Sequence, residues 1–262
     1  RNSIPIAVIN GRISDKSFKG YRRIRFLFGK ILERIDLFCM QSAADARRIT
    51  ALGAKGANVK VTGNMKFDID EAAAKKAPPR GNEKLIIAGS THKGEEEIVL
   101  SVYGRLREKF PDLRLLIAPR HIERAEAIRR SVEQKGFEKT VSILDTHGEL
   151  SGLFSLATIV FMGGSLVKRG GHNIVEPAQF GKPIVFGPYM FNFREMSRAF
   201  LENKAAIRIS NEDELFEAMK SLIVDGSKGR ALGKNALELV GKNKGATRKN
   251  IEAVERILHG AH

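Results

Sequence analysis

Residues 158–178, TIVFMGGSLVKRGGHNIVEPA, decide how this chain folds. The first five residues, Thr158 to Met162, are apolar and β-rich, as a buried strand requires. Four glycines follow, Gly163, Gly164, Gly170 and Gly171, around a basic turn. Asn173 then opens a helical period with a carboxylate, Glu176, in its first turn. Strand, glycine loop and helix in that order read as a phosphate cradle. Glycines let backbone come close to a ligand, and helix N-termini attract anions. Gly164, Ser165 and the amides from Asn173 through Ile174 and Val175 are the candidate phosphate contacts, with Glu176 set to accept ribose hydroxyls. Asn173 and Glu176, three residues apart, also fit a helix cap and its capping-box partner.

Outward from that stretch the pattern repeats. Apolar runs at Lys84–Ala88, Leu113–Ala118, Val141–Leu144, Pro183–Phe186 and Ala205–Ile209 read as further strands. Helical periods near 93–109, 121–136, 148–157, 173–180 and 193–203 separate them. Alternating strands and helices predict a doubly wound α/β domain with a parallel sheet, which binds ligands beyond the carboxyl ends of its strands. Gly89-Ser90-Thr91 and Pro119-Arg120-His121 fall on that edge. Arg120 suits a phosphate or carboxylate there, and its place at the ligand edge favours that over a surface pair with Glu123 or Glu126.

Residues 1–70 carry a shorter version. Pro5–Ile9, Leu37–Met40 and Val59–Thr62 read as strands, Ala43–Leu52 as a helix. Ser17–Arg34 reads as one helix with Ile24, Leu27, Phe28, Ile31 and Ile35 on its apolar face. Three strands form only the incomplete tail of a second domain of the same class. Residues 71–83, with Pro78, Pro79 and Gly81, read as a linker. Residues 84–262 read as the main domain, with terminal helices at 212–225, 229–241 and 246–259.

The chain has 262 residues and a net charge of +15, with 17 Lys and Arg against 8 Asp and Glu in residues 1–83. Such a surface faces an anionic partner or is simply solvated. Few aromatics, no tryptophan and no recognition motif argue against nucleic acid. The one cysteine, Cys39, lies in an apolar run and reads as a buried thiol, consistent with a reducing compartment. The His and Cys residues lack metal-ligand spacing. Leu150 to Val167 is uncharged for 18 residues, yet its glycines, serines and change of period read as helix, strand and loop rather than a membrane span.

Taken in order, VINGRIS (8–14), QSAADARRITALGA (41–54), GNMKFD (63–68), GSTHKGEEE (89–97), PRHIER (119–124), the glycine stretch and GPYMFNFRE (187–195) resemble the 3-deoxy-D-manno-octulosonic acid (Kdo) transferases of lipopolysaccharide synthesis. The resemblance covers nearly the whole chain. It implies a two-domain glycosyltransferase of the B fold, with the Rossmann-like C-terminal domain binding the donor. It implies CMP-Kdo as donor substrate with no separate cofactor or metal, a lipid A precursor such as lipid IVA as acceptor, and inversion at the anomeric centre. It places CMP contacts on Pro119, Arg120, Gly148, Glu149, Leu150 and Asn173 through Glu176, and a charge-stabilising lysine on Lys66. It implies work at the cytoplasmic face of the bacterial inner membrane, against an anionic lipid surface. The family's catalytic carboxylate and membrane anchor are expected upstream of Arg1, and none of Asp15, Glu33 or Asp36 stands out as the base. Outside the resemblance, another B-fold transferase using a UDP-sugar, or a non-enzymatic basic nucleic-acid binder, are the rival readings.

Overall fold

A computed structural model describes residues 4–68 and 84–259. The expected linker, 71–83, lies outside the described residues. Two compact units emerge: residues 1–68 with 243–262, and residues 69–242.

The larger unit is built on six parallel strands: β4 (Leu85–Thr91), β5 (Arg114–Pro119), β6 (Val141–Ile143), β7 (Ile159–Met162), β8 (Ile184–Phe186) and β9 (Ile207–Arg208). Their spatial order is β6-β5-β4-β7-β8-β9. The chain runs outward from β4 to one edge, then returns and runs outward on the other side. The order therefore reverses between β4 and β7, and a crevice opens there at the strand ends. Both sheet faces are buried, which is why the strands read as unbroken apolar runs. Ile86, Ala88, Ile117 and Phe161 pack with Val99, Leu100 and Tyr103 of α4 (Glu95–Arg107) and with Leu215, Met219 and Leu222 of α9 (Glu212–Val224). On the other face Ile87, Val160 and Phe186 are equally buried.

The uncharged run Leu150 to Val167 resolves into helix α6 (Leu150–Leu153), a 3-10 turn (Phe154–Leu156), β7 and the start of the glycine loop. Among the described residues no helix is long and apolar enough to cross a membrane.

The smaller unit holds a three-stranded parallel sheet, β1 (Ala7–Gly11), β2 (Leu37–Met40) and β3 (Val59–Val61), in that spatial order. Three expectations change here. The first strand starts at Ala7 rather than Pro5. The helix expected over 17–34 is two, α1 (Asp15–Arg23) and α2 (Arg25–Leu32), broken at Ile24, where φ is −114° and ψ 25°. The break resets the phase: Phe28, Leu32 and Ile35 pack inward, while Ile24, Leu27 and Ile31 are exposed. The last helix, α11 (Ala246–His259), belongs to this unit and not to the donor domain expected over 84–262. Ala253, Val254 and Ile257 cover Leu37 and Cys39 of β2. An amphipathic helix goes to whichever sheet face lacks cover, and chain order does not reveal that. Asp68 fixes the join by accepting from the backbone N–H of Gly245 (2.6 Å) and Thr247 (2.5 Å). Cys39 is a buried free thiol.

Candidate functional site

The carboxyl ends of β4, β5 and β7 enclose a cavity of about 310 Å³. Its polar groups come from four places. Ser90 is the penultimate residue of β4, Arg120 follows β5, Gly148 precedes α6 and Ser151 lies within it, and His172, Asn173 and Glu176 follow the glycine loop. Leu150, Phe154, Met162 and Phe193 supply the apolar wall. A cavity of this size with few convergent polar groups has the form of a small-ligand site. Another cavity, of about 260 Å³ beside Leu85, Leu116 and Leu153, lies off this edge, where doubly wound sheets do not hold their ligand.

Ser90 is held at φ 54°, in the left-handed region, at a cost of about 1–2 kcal/mol. Gly163 explains how: a Cβ there would collide with the Ser90 carbonyl and the Thr91 Cα. Two strand ends thus meet backbone to backbone at the rim of the cavity.

The glycine loop itself departs from the phosphate-cradle reading. Its amides are already occupied by a side chain of the protein. Glu95, wholly buried at the start of α4, accepts from the N–H groups of Gly164 (2.6 Å), Ser165 (3.0 Å) and Leu166 (2.9 Å), and from His92 (2.9 Å). Ser165 is also buried. Its hydroxyl donates to the Met162 carbonyl (2.5 Å) and accepts from the Gly187 N–H (2.8 Å). Gly164 and Ser165 are therefore a structural clamp on a carboxylate, and their amides do not face the cavity. The signal for this was present in GEEE, where Glu95 reads as an ordinary first-turn acid.

The helix after the loop is corrected as well. It spans only Val175–Ala178, too short for an appreciable dipole. The Val175 N–H is taken by Asn173 Oδ1 (3.2 Å). Ile174 and Val175 are buried core residues, and Pro119 is a buried strand end. What remains of the loop's second half is side-chain chemistry: Asn173 Nδ2 donates to Glu176 Oε1 (3.4 Å), and both residues line the cavity.

Of the residues expected at the site, Arg120, Gly148, Leu150, Asn173 and Glu176 come together in the cavity. Arg120 is exposed and makes no ion pair among the described residues. Glu126, one of its expected surface partners, pairs with Arg129 and Arg130 instead. Glu149 is exposed and accepts from Thr146 Oγ1 (2.7 Å) outside the cavity lining. Lys66 lies in the other unit, exposed, on a 3-10 turn (Met65–Phe67) anchored by the buried Phe67. Asn64 Oδ1 accepts from the Lys66 N–H (3.0 Å), and Asn10 Oδ1 accepts from that of Met65 (3.1 Å).

Burial pushes the Glu176 carboxyl above its ordinary value, and the Asn173 bond and the Arg120 charge recover only part of that. Beside it is a residue sequence reasoning passed over. His172 lines the cavity and stacks on His92, ring centroids 5.3 Å apart and 9° from parallel. Burial, with His92, Arg120 and His121 close by, pushes the His172 imidazole down to about 4. A lone histidine among glycines gives no pattern to detect. Arg124 of PRHIER has a structural part: it pairs with the buried Glu96 through two bonds, 3.1 and 3.3 Å. Among the described residues no three His, Cys, Asp or Glu form a metal-ligand group.

Comparison with known proteins matches residues 1–69 to the family model "3-Deoxy-D-manno-octulosonic-acid transferase (kdotransferase)" and residues 68–239 to "Glycosyl transferases group 1". A 3-deoxy-D-manno-octulosonic acid transferase of Haemophilus influenzae is 32% identical over 98% of this chain and 65% of its own length. A bifunctional glycosyltransferase/methyltransferase of Fusobacterium nucleatum is 33% identical over 83% of this chain and 37% of its own. The chain thus spans about a third to two thirds of the length of these relatives. Among solved structures, the C-terminal CMP-Kdo binding domain of WaaA from Acinetobacter baumannii superposes with a TM-score of 0.58 at 24% identity, over 61% of this chain and 90% of that one.

Proposed function

The chain belongs to the 3-deoxy-D-manno-octulosonic acid transferase family of glycosyltransferases, and from that premise we propose that its larger unit binds CMP-Kdo and supports transfer of Kdo to a lipid A precursor such as lipid IVA. One observation carries the reading: Ser90, Arg120, Asn173 and Glu176, from three separate segments of the chain, converge in one cavity at the topological switch point. Glu176 accepts the ribose hydroxyls, and an ionised carboxylate does so well. Arg120, with no carboxylate partner among the described residues, takes the phosphate or the donor's carboxylate. Phe154, Met162 and Phe193 shield these contacts from water, which strengthens them.

Lys66 stabilises the charge that develops on the departing CMP. Transfer proceeds with inversion and without a metal, the phosphate charge being met by guanidinium and ammonium groups. The smaller unit turns to an anionic membrane at the cytoplasmic face. In support, Ile24, Phe26 (75% exposed), Leu27 and Ile31 stand out from the surface among Arg22, Arg23, Arg25 and Lys30. Exposed apolar groups ringed by cations suit anionic lipid headgroups.

Calorimetric titration tests the donor site. CMP binds and UMP binds at least tenfold more weakly, while Glu176→Ala weakens CMP by about 10- to 100-fold, the worth of a hydrogen bond to a charged group. Equal binding of UMP moves the protein to the UDP-sugar transferases. Unchanged CMP affinity in Glu176→Ala removes the site assignment.

A further inference from the structure

His92 and His172 approach through like atoms. Their Nε2 atoms are 3.0 Å apart, a hydrogen bond that needs one ring to donate and the other to accept. The contact therefore holds one hydrogen between the rings. The accepting ring keeps its own hydrogen on Nδ1, so the neutral pair holds two. A third proton can join at the bare Nδ1 of the donating ring, making one imidazolium, and a fourth is excluded, because both Nε2 atoms would then point hydrogens at each other. The pair thus carries a charge of either zero or +1 while the contact lasts.

What surrounds it in the protein keeps that charge at zero. His121 meets His92 edge-on at 5.5 Å, and Arg120, Arg124 and Arg169 add positive potential from two loops. Against them stand Glu96, bonded twice by Arg124, Glu95, bonded to the His92 N–H and saturated by the loop amides, and Glu176 in the same cavity. Burial above all, and then the neighbouring cations and imidazoles, push both rings down. Arg124 is tied to Glu96 and Glu95 is saturated by amides, so an anion entering the cavity meets the Arg120 guanidinium and the His172 imidazole on its wall, beside Glu176. Gly164 lets the pair sit there: a Cβ on it would lie 3.0 Å from the His172 ring and 3.3 Å from His92.

We propose that His172, seated on His92, is an anion-binding residue of this cavity, and that the pair takes up one proton from solvent when a phosphate group enters. The phosphate's charge reverses the local field, and the proton lands on a Nδ1 with no other bond made or broken. The inference rests on the nucleotide-binding reading above for its natural ligand, a nucleoside monophosphate or its ester.

The test is calorimetry of the 262-residue chain with CMP and with cytidine at pH 7, in phosphate-free buffers of different ionisation heat. Wild-type protein takes up protons with CMP and none with cytidine. His172→Gln and His92→Gln bind CMP more weakly, with the uptake lost. For one fully coupled proton, wild-type CMP affinity changes relative to His172→Gln by up to about tenfold per pH unit. The phosphate's own titration near pH 6 is common to both proteins and cancels. Equal uptake in wild type and both variants, or none in wild type, overturns the proposal. A second measurement needs no variant: inorganic phosphate raises the His172 imidazole midpoint followed by NMR. If CMP gives no binding heat but phosphate still raises that midpoint, the nucleotide reading fails and the anion site stands. If neither moves it, the anion site fails.

Discussion

Residues 163–166 and residues 172–176 belong to one glycine-rich stretch, yet their polar groups do opposite work. In the first half the backbone does the binding, and the anion it binds is Glu95 of the same chain. In the second half the backbone is capped or buried, and side chains face the cavity. A glycine loop after a strand is therefore no proof of a ligand's phosphate. The same geometry that welcomes a phosphate welcomes an internal carboxylate, which then pins the loop and orients its far end. Glu95 joins β4, α4 and the loop after β7, and so holds two walls of the cavity at a fixed distance.

Removing Glu95 breaks this contrast most severely. Glu95→Ala leaves four N–H groups without their acceptor, two of them fully buried, and costs roughly 3–5 kcal/mol. Urea denaturation reads it directly, and a loss below about 1 kcal/mol would mean that the clamp is incidental. Ser165→Ala comes next. It deletes a buried hydroxyl with two partners, a loss of roughly 1–3 kcal/mol, while CMP affinity stays within about threefold because Ser165 does not touch the cavity. A larger fall in affinity would erase the distinction between the halves.

Glu176→Gln has the smallest effect and the opposite sign. Burial holds the folded carboxyl above its ordinary value of 4.5. Between that value and the raised one, the folded state keeps a proton that the unfolded state has lost. The penalty therefore grows as pH rises through this window and is fully present above it. Glu176→Gln removes it, so the variant is more stable than wild type at pH 7, and the gain disappears below about pH 4.5. Equal urea midpoints at pH 7 would show that Glu176 is not strained by its burial.

The larger unit was legible because each strand is a short apolar run and each gap a helical period. A sheet buried on both faces leaves that pattern whatever else the chain does. The carboxyl-edge positions of Ser90, Arg120 and Glu176 followed from it. The smaller unit was less legible. The break at Ile24 turned an apparent apolar face outward, and the partner of α11 lies some 200 residues earlier in the chain. At the site, Glu95 and His172 were missed because each acts through contacts with residues 69 to 80 positions away, and nothing in their neighbours announces such contacts.

The sequence by itself determined the family, the doubly wound fold and the edge on which the site lies, because these rest on local hydrophobic period and on motifs read in order. Only the tertiary structure decided which groups in the glycine stretch are free for a ligand. A hydrogen-bond donor is used once, and whether Gly164 spends its N–H on a phosphate or on Glu95 depends on which acceptor the fold brings within 3 Å.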